Sequence, residues 1–177
     1  MVKYVKSIAV LASICLVLAA LLGVVNMITE PVIKAAEDRK VQQALAEVLP
    51  DASFEQISFV DYEGKVEFPA SVIEAYSADI GGYVFKLSVK GYSTGLVILI
   101  GVDAEGKISG SKVISSNETN GAENSYGNNL VGKNSSAVDK VATVSGSTLT
   151  TTAYKNAAKT ALDLAAKLDD ASQKGGE

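Results

Sequence analysis

Histidine and tryptophan are absent from this chain, and cysteine occurs once, at Cys15. Each absence removes a class of chemistry. Without histidine there is no histidine-based catalytic triad, no histidine-ligated haem and no ordinary zinc site. A single thiol leaves no intrachain disulfide and no cysteine-ligated iron–sulfur cluster. Redox work by such a chain has to rest on an organic cofactor. Aromatic stacking has to come from tyrosine or phenylalanine. Arginine is scarce as well, with Arg39 the only one. Nucleic acid calls for clustered arginine and lysine, so that partner is not expected.

Charge of either sign is missing from Ser7 to Thr29, and Ile8 to Val25 is almost wholly apolar. A run of ~20 such residues, at ~1.5 Å each in a helix, crosses a hydrocarbon core of ~30 Å. Lys3, Lys6 and the amino terminus precede it, which by the positive-inside rule keeps the N-terminus cytoplasmic and exports the rest of the chain. A cleaved signal peptide is the rival reading, but the run exceeds a usual signal core and no small-x-small site comes before Glu30. A lipoprotein signal fails because Cys15 sits mid-run after Ile14. We therefore read residues 1–29 as a cytoplasmic tip and an uncleaved anchor. All twenty acidic residues lie from Glu30 onward with fourteen basic ones, so this part carries a formal charge of −6.

Thr29-Glu30-Pro31 reads as a helix restart, with a capping hydroxyl, an acid in the first turn and proline where its missing N–H costs nothing. Ile33, Ala36, Val41, Ala44, Leu45, Val48 and Leu49 then recur on one face, which predicts an amphipathic connector helix over 30–50. It packs either on its own domain or on neighbouring membrane subunits. A domain over 51–168 comes next, with a flexible tail at 169–177. Phe54 to Tyr62 reads as a first strand, and Ser71 to Ala78 is open between strand and helix. Tyr83, Phe85, Leu87 and Val89 alternate with Val84, Lys86, Ser88 and Lys90, a half-buried strand. Leu96 to Ile100 is apolar on both faces and reads as a central strand. Asp103 to Gly106 turns the chain into a strand over Lys107 to Ser115. Short connections imply antiparallel neighbours. Tyr154, Ala157, Ala158, Ala161, Leu162, Ala165 and Leu168 form the stripe of a final helix. The fold class is α+β: one N-terminal transmembrane helix, then a mainly antiparallel sheet with packed helices.

Ser116 to Ser136 is rich in Asn, Gly, Ser and Glu. A polar loop of that length is either functional or disordered. It lacks the D-x-D-x-D-G pattern of a calcium loop, and no metal site is expected. Beyond it lies Ser145-Gly146-Ser147-Thr148-Leu149-Thr150, a hydroxyl-bearing turn opening onto the final helix. The first N–H groups of a helix point outward and its dipole is positive there, which favours an anion. A plain capping segment, with Thr150, Thr151 or Thr152 bonding those N–H groups, accounts for the same residues.

The chain resembles the G subunit of Rnf-type ion-pumping complexes and, more broadly, the C subunit of sodium-pumping NADH:quinone oxidoreductases. The likeness runs over nearly its whole length. It includes one N-terminal span, Val25-Asn26-x-x-Thr29, a helix ending Val48-Leu49-Pro50, and Gly91-Tyr92-Ser93. Gly101-Val102-Asp103 with Gly106, Glu118-Thr119 with Gly121, and Ser145-Gly146-Ser147-Thr148 complete it. In that family a separate flavin transferase esterifies FMN through its phosphate to the threonine of an S-G-A-T sequence, and Thr148 is the matching residue. The resemblance implies cofactor contacts from Ser145, Gly146, Ser147, Leu149 and Thr150, with Glu118 and Thr119 nearby. Three positions depart from the pattern. Ala142 stands where aspartate is usual, Ser147 replaces the alanine, and Glu118-Thr119-Asn120-Gly121-Ala122-Glu123 replaces E-T-P-G-L-G.

The resemblance further implies electron transfer between reduced ferredoxin and NAD, coupled to sodium or proton movement. The partners would be the other membrane and iron–sulfur subunits of the complex, in the cell inner membrane. The chain would have no independent catalytic site, and no dinucleotide fingerprint is present. Two alternatives stand beside this reading: a flavin-free structural extracytoplasmic subunit, and a standalone flavinylated extracytoplasmic carrier.

Overall fold

The computed structural model describes residues 2–174. The chain divides into two units, Met1–Lys40 and Val41–Glu177. The first holds most of helix α1, Val2–Val48, whose last two turns belong to the second. Ile8, Leu11, Leu16, Leu22 and Met27 are all exposed along it. Val10–Val48 includes a stretch long and apolar enough to cross a membrane, and none of that stretch is buried. The helix restart expected at Thr29-Glu30-Pro31 does not occur: α1 runs through Pro31 without interruption. The Thr29 hydroxyl donates to the Val25 carbonyl 2.8 Å away, one turn back, instead of capping a new helix. Proline removes one helical hydrogen bond and crowds the carbonyl four residues back, and the bonds on either side carry the helix past it. Of the expected connector stripe, Ile33 and Ala36 are exposed, whereas Val41, Ala44, Leu45, Val48 and Leu49 are buried.

The second unit is an antiparallel sheet in the order β1-β2-β3-β4-β5, each strand beside its sequence neighbour. The strands are β1 Phe54–Gln56, β2 Val72–Ala78, β3 Tyr83–Val89, β4 Leu96–Val102 and β5 Ile108–Ser115. β1 is shorter than expected, because Phe59–Tyr62 coils into a 3-10 turn where Phe59 stacks on Phe68 at 4.3 Å. The open choice at 71–78 falls to strand, and its register slips between Val72 and Glu74.

Period-two alternation gives the sheet two apolar faces, and each finds a cover. On one face Phe85, Leu87, Ile98, Ile100 and Ile108 pack against Tyr154, Ala158, Ala161, Leu162, Ala165 and Leu168 of α4, Thr148–Lys174. The alanines keep the helix close, so that large strand side chains fill the gap. On the other face Val84 and Leu99 meet Val41, Ala44, Leu45 and Val48 of α1. β4 is thus covered on both faces, the reason for its unbroken apolar run. α4 continues through residues expected to be a loose tail: Asp169 accepts a hydrogen bond from the Tyr83 hydroxyl at 3.0 Å, and Ala171 packs on the core. Residues 175–177 of that tail lie outside the described residues.

The polar segment after β5 is ordered. It carries two short helices, α2 Glu123–Tyr126 and α3 Ser135–Asp139, with a 3-10 turn at Gly127–Leu130. Tyr126, Leu130 and Val138 are fully buried. Tyr126 meets Tyr154 edge-to-face at 5.8 Å. These few apolar anchors tether an otherwise polar stretch to the α4 face of the sheet.

Candidate functional site

The Ser145–Thr150 turn is held from several directions. Lys155 donates to the Asp139 and Val141 carbonyls at 2.9 and 2.8 Å, and the Tyr126 hydroxyl donates to the Ala142 carbonyl at 3.1 Å. The Ser147 amide closes a turn onto the Val144 carbonyl at 3.0 Å. Gly146 sits at φ +79°, a left-handed conformation that side chains disfavour. A Cβ there would meet no atom within 4 Å, so the demand is for backbone conformation and not for space.

α4 starts at Thr148. The threonine hydroxyls of its first turn do not cap it. Thr151 Oγ1 donates back to the Ser147 and Thr148 carbonyls and accepts from the Val144 amide at 3.3 Å, while Thr150 Oγ1 donates to Glu118. Among the described residues nothing accepts from the backbone N–H groups of Thr148, Leu149 or Thr150. Three amides and the positive end of a 27-residue helix therefore face outward together.

The same three residues help line a cleft of about 460 Å³, together with Tyr92, Glu118, Thr119, Asn120, Gly146 and Ser147. The cleft thus brings together residues 118–119 and 146–150, two segments singled out in the sequence about thirty residues apart. Ser145 is the one expected residue that does not line the cleft. Tyr92 and Asn120 line it and were not foreseen as site residues. Tyr92 supplies the cleft's aromatic ring and is 67% exposed. Its only signal in the sequence was membership of the Gly91-Tyr92-Ser93 turn.

Ser147 and Thr148 are adjacent yet differently placed. Ser147 is buried, and its Oγ accepts from Asn120 Nδ2 at 3.3 Å, which also donates to the Gly146 carbonyl at 2.7 Å. Thr148 is exposed on the cleft. A larger cleft of about 770 Å³ lies at Phe59 to Phe68 and shares no lining residue with this one.

Glu118 is the hub of the site. Its carboxylate accepts from the Tyr92 and Ser93 amides at 3.1 and 2.9 Å and from Thr150 Oγ1. It so ties the β3–β4 turn to the first turn of α4. Burial works to raise its pKa, but the Thr150 hydroxyl and the two amides outweigh that and hold it below the ordinary value. A Cβ on Gly91 would come within 2.7 Å of Glu118 Oε1, so glycine at this turn makes room for the carboxylate.

A family described as FMN-binding domain matches residues 91–163, a span that contains every residue of the cleft. The chain is 31% identical over 154 residues to the G subunit of the Na(+)-translocating ferredoxin:NAD(+) oxidoreductase complex of Acetobacterium woodii, a match covering 78% of this chain and 73% of that one. It is also 31% identical over 115 residues to the G subunit of the ion-translocating oxidoreductase complex of Stutzerimonas stutzeri, covering 63% of this chain and 50% of the other. The chain thus spans about half the length of the latter relative.

Proposed function

The chain belongs to the family of G subunits of ion-translocating oxidoreductase complexes, and from that premise we propose that it is a membrane-anchored electron-transfer subunit carrying FMN esterified to Thr148. The observation that carries this reading is the meeting of an exposed Thr148 hydroxyl with three unpaired helix amides in one cleft of the FMN-binding region.

The residues fit such a group. A phosphodiester at Thr148 lies where the Thr148, Leu149 and Thr150 amides and the helix dipole stabilise an anion. Gly146 keeps the approach clear of side-chain atoms. The cleft volume is within the range of cofactor sites, and Tyr92 offers a ring face to a flavin. Glu118 shares its charge among three donors, which limits repulsion toward the phosphate. A flavin supplies the capacity to take up electrons in pairs and release them singly. The chain's own residues bind, orient and shield it. No histidine or cysteine base is needed for its attachment if a separate flavin transferase makes the ester. Asn120 donates to the buried Ser147 hydroxyl, which holds this competing group in the cleft wall while Thr148 is exposed.

By the same reading, the partners are the other membrane and iron–sulfur subunits of a ferredoxin:NAD oxidoreductase complex. α1 anchors the chain once in the cell membrane, with the N-terminus cytoplasmic and the FMN-binding unit outside. Intact-mass spectrometry of the chain purified from its native host tests the site. The expected result is an increase of one FMN minus water that disappears in Thr148→Ala. A Thr148→Ala chain that keeps the increase, or a wild-type chain without it, defeats the assignment.

A further inference from the structure

Glu123 is the only acidic or basic residue among the buried described residues, at 3% exposure. Its Oε1 accepts from Ser116 Oγ at 2.7 Å, and its Oε2 has no hydrogen-bond partner among the described residues. Burying a carboxyl group with one oxygen unmatched is costly, and an apolar side chain on α2 would pack without that cost. Some local gain must offset it. Position 123 is also one at which this loop departs from the pattern it resembles.

The gain lies in the direction of one hydroxyl. Ser116 has a single proton to donate and two lone pairs to offer. Its proton goes to Glu123, which turns a lone pair toward the Glu118 amide, 3.1 Å away. Glu118 in turn holds the Tyr92 and Ser93 amides and Thr150. Without Glu123 the Ser116 hydroxyl loses its acceptor and is free to rotate, so its lone pair is no longer held toward the Glu118 amide.

We infer that Glu123 is a positioning residue for the cleft: acting through Ser116, it orients the Glu118 clamp that joins the Tyr92–Ser93 turn to the first turn of α4. Its purpose in setting a flavin rests on the function proposed above, so the test has one arm that needs no flavin. In the full chain purified without flavin, Glu123→Ala and Ser116→Ala should each speed hydrogen exchange of the Tyr92 and Ser93 amides about tenfold. The double variant should be no faster than either single one, since both act on one chain of bonds. Glu123→Gln keeps an acceptor oxygen and should restore slow exchange.

Unchanged Tyr92 and Ser93 exchange in Ser116→Ala and Glu123→Ala overturns the inference. So does a rise shared equally by core amides such as Leu99 and Ile100, the sign of general destabilisation. Where Glu123→Ala fails to fold, Ser116→Ala and Glu123→Gln still decide. In the flavinylated chain Ser116→Ala should also shift the visible circular dichroism of the flavin. Loosened amides beside an unchanged flavin band overturn the link to the cofactor. A wild-type chain that bears no flavin counts against the proposed function alone and leaves the exchange result standing.

Discussion

Two neighbouring hydroxyls, Ser147 and Thr148, show how much the surroundings of a residue decide. Sequence offers both as esterification sites, and the fold separates them: Ser147 is buried against Asn120, and Thr148 is exposed on the cleft. If the proposed ester forms at Thr148, Ser147→Ala should keep a covalent flavin, with a loss of about 0.5–1.5 kcal/mol for one hydrogen bond, whereas Thr148→Ala should lose it entirely. In-gel fluorescence of the denatured chains reads both, and a dark Ser147→Ala band would reverse the assignment. Glu118 makes a prediction in pH. Its folded pKa is depressed below the ordinary 4.5, so its stabilising bonds are fully present above that value and are lost as pH falls through the depressed one. The amide proton shifts of Tyr92 and Ser93 should stay constant above the ordinary glutamate range and titrate only below it. In Glu118→Gln that titration should vanish, and its persistence would show that another group controls the turn.

Among the elements, the contact between the end of α1 and the sheet depends on two facing glycines. Gly101 and Gly110 are cross-strand partners on β4 and β5, and together they form a saddle for Val48. A Cβ on Gly110 would stand 2.7 Å from the Val48 carbonyl oxygen and 3.0 Å from its Cα, atoms that cannot swing aside. Gly110→Val should destabilise the FMN-binding unit by about 1–3 kcal/mol through overpacking. Denaturant unfolding of the full chain in detergent measures this, and an unchanged midpoint would refute the close approach. The strands β3, β4 and β5 and the stripe of α4 were all legible, because each buries a face with a clean period. The 116–136 segment was not. Its polar composition masks Tyr126 and Leu130, anchors too few and too far apart to register as a face. The 3-10 turn at Phe59–Tyr62 was missed for a related reason: aromatics favour strands until a partner such as Phe68 fixes another conformation.

At the scale of the whole molecule, an apolar helix precedes a sheet unit with its own core. The exposed Leu16 and Val17 lie in a stretch suited to hydrocarbon and poorly suited to water. Replacing both with arginine should weaken insertion by about 6–8 kcal/mol and shift the chain from the membrane to the soluble fraction. Alkaline extraction followed by immunoblotting checks this, and full retention in the membrane would argue that other contacts anchor it. The FMN-binding unit should remain folded in that variant, because its core lies in Val41–Lys174 and none of it comes from the substituted residues.

Sequence alone determined the features that are written along the chain. The long apolar helix follows from a run without charge, the antiparallel sheet from alternation and short turns, the closing helix from its stripe. The exclusion of histidine- and cysteine-based chemistry follows from counting. It also singled out Thr148, through a motif whose residues are contiguous. What required the tertiary structure was every relation across distance. That α1 runs on through Pro31, that Tyr92 and Asn120 complete the cleft, and that Ser147 is occupied while Thr148 is free are facts of packing. They depend on which groups meet after residues 92, 118 and 148 are brought together. A hydrogen bond such as Glu118 to the Tyr92 amide leaves no periodic trace in the chain, because its geometry exists only once the sheet and α4 have formed around it.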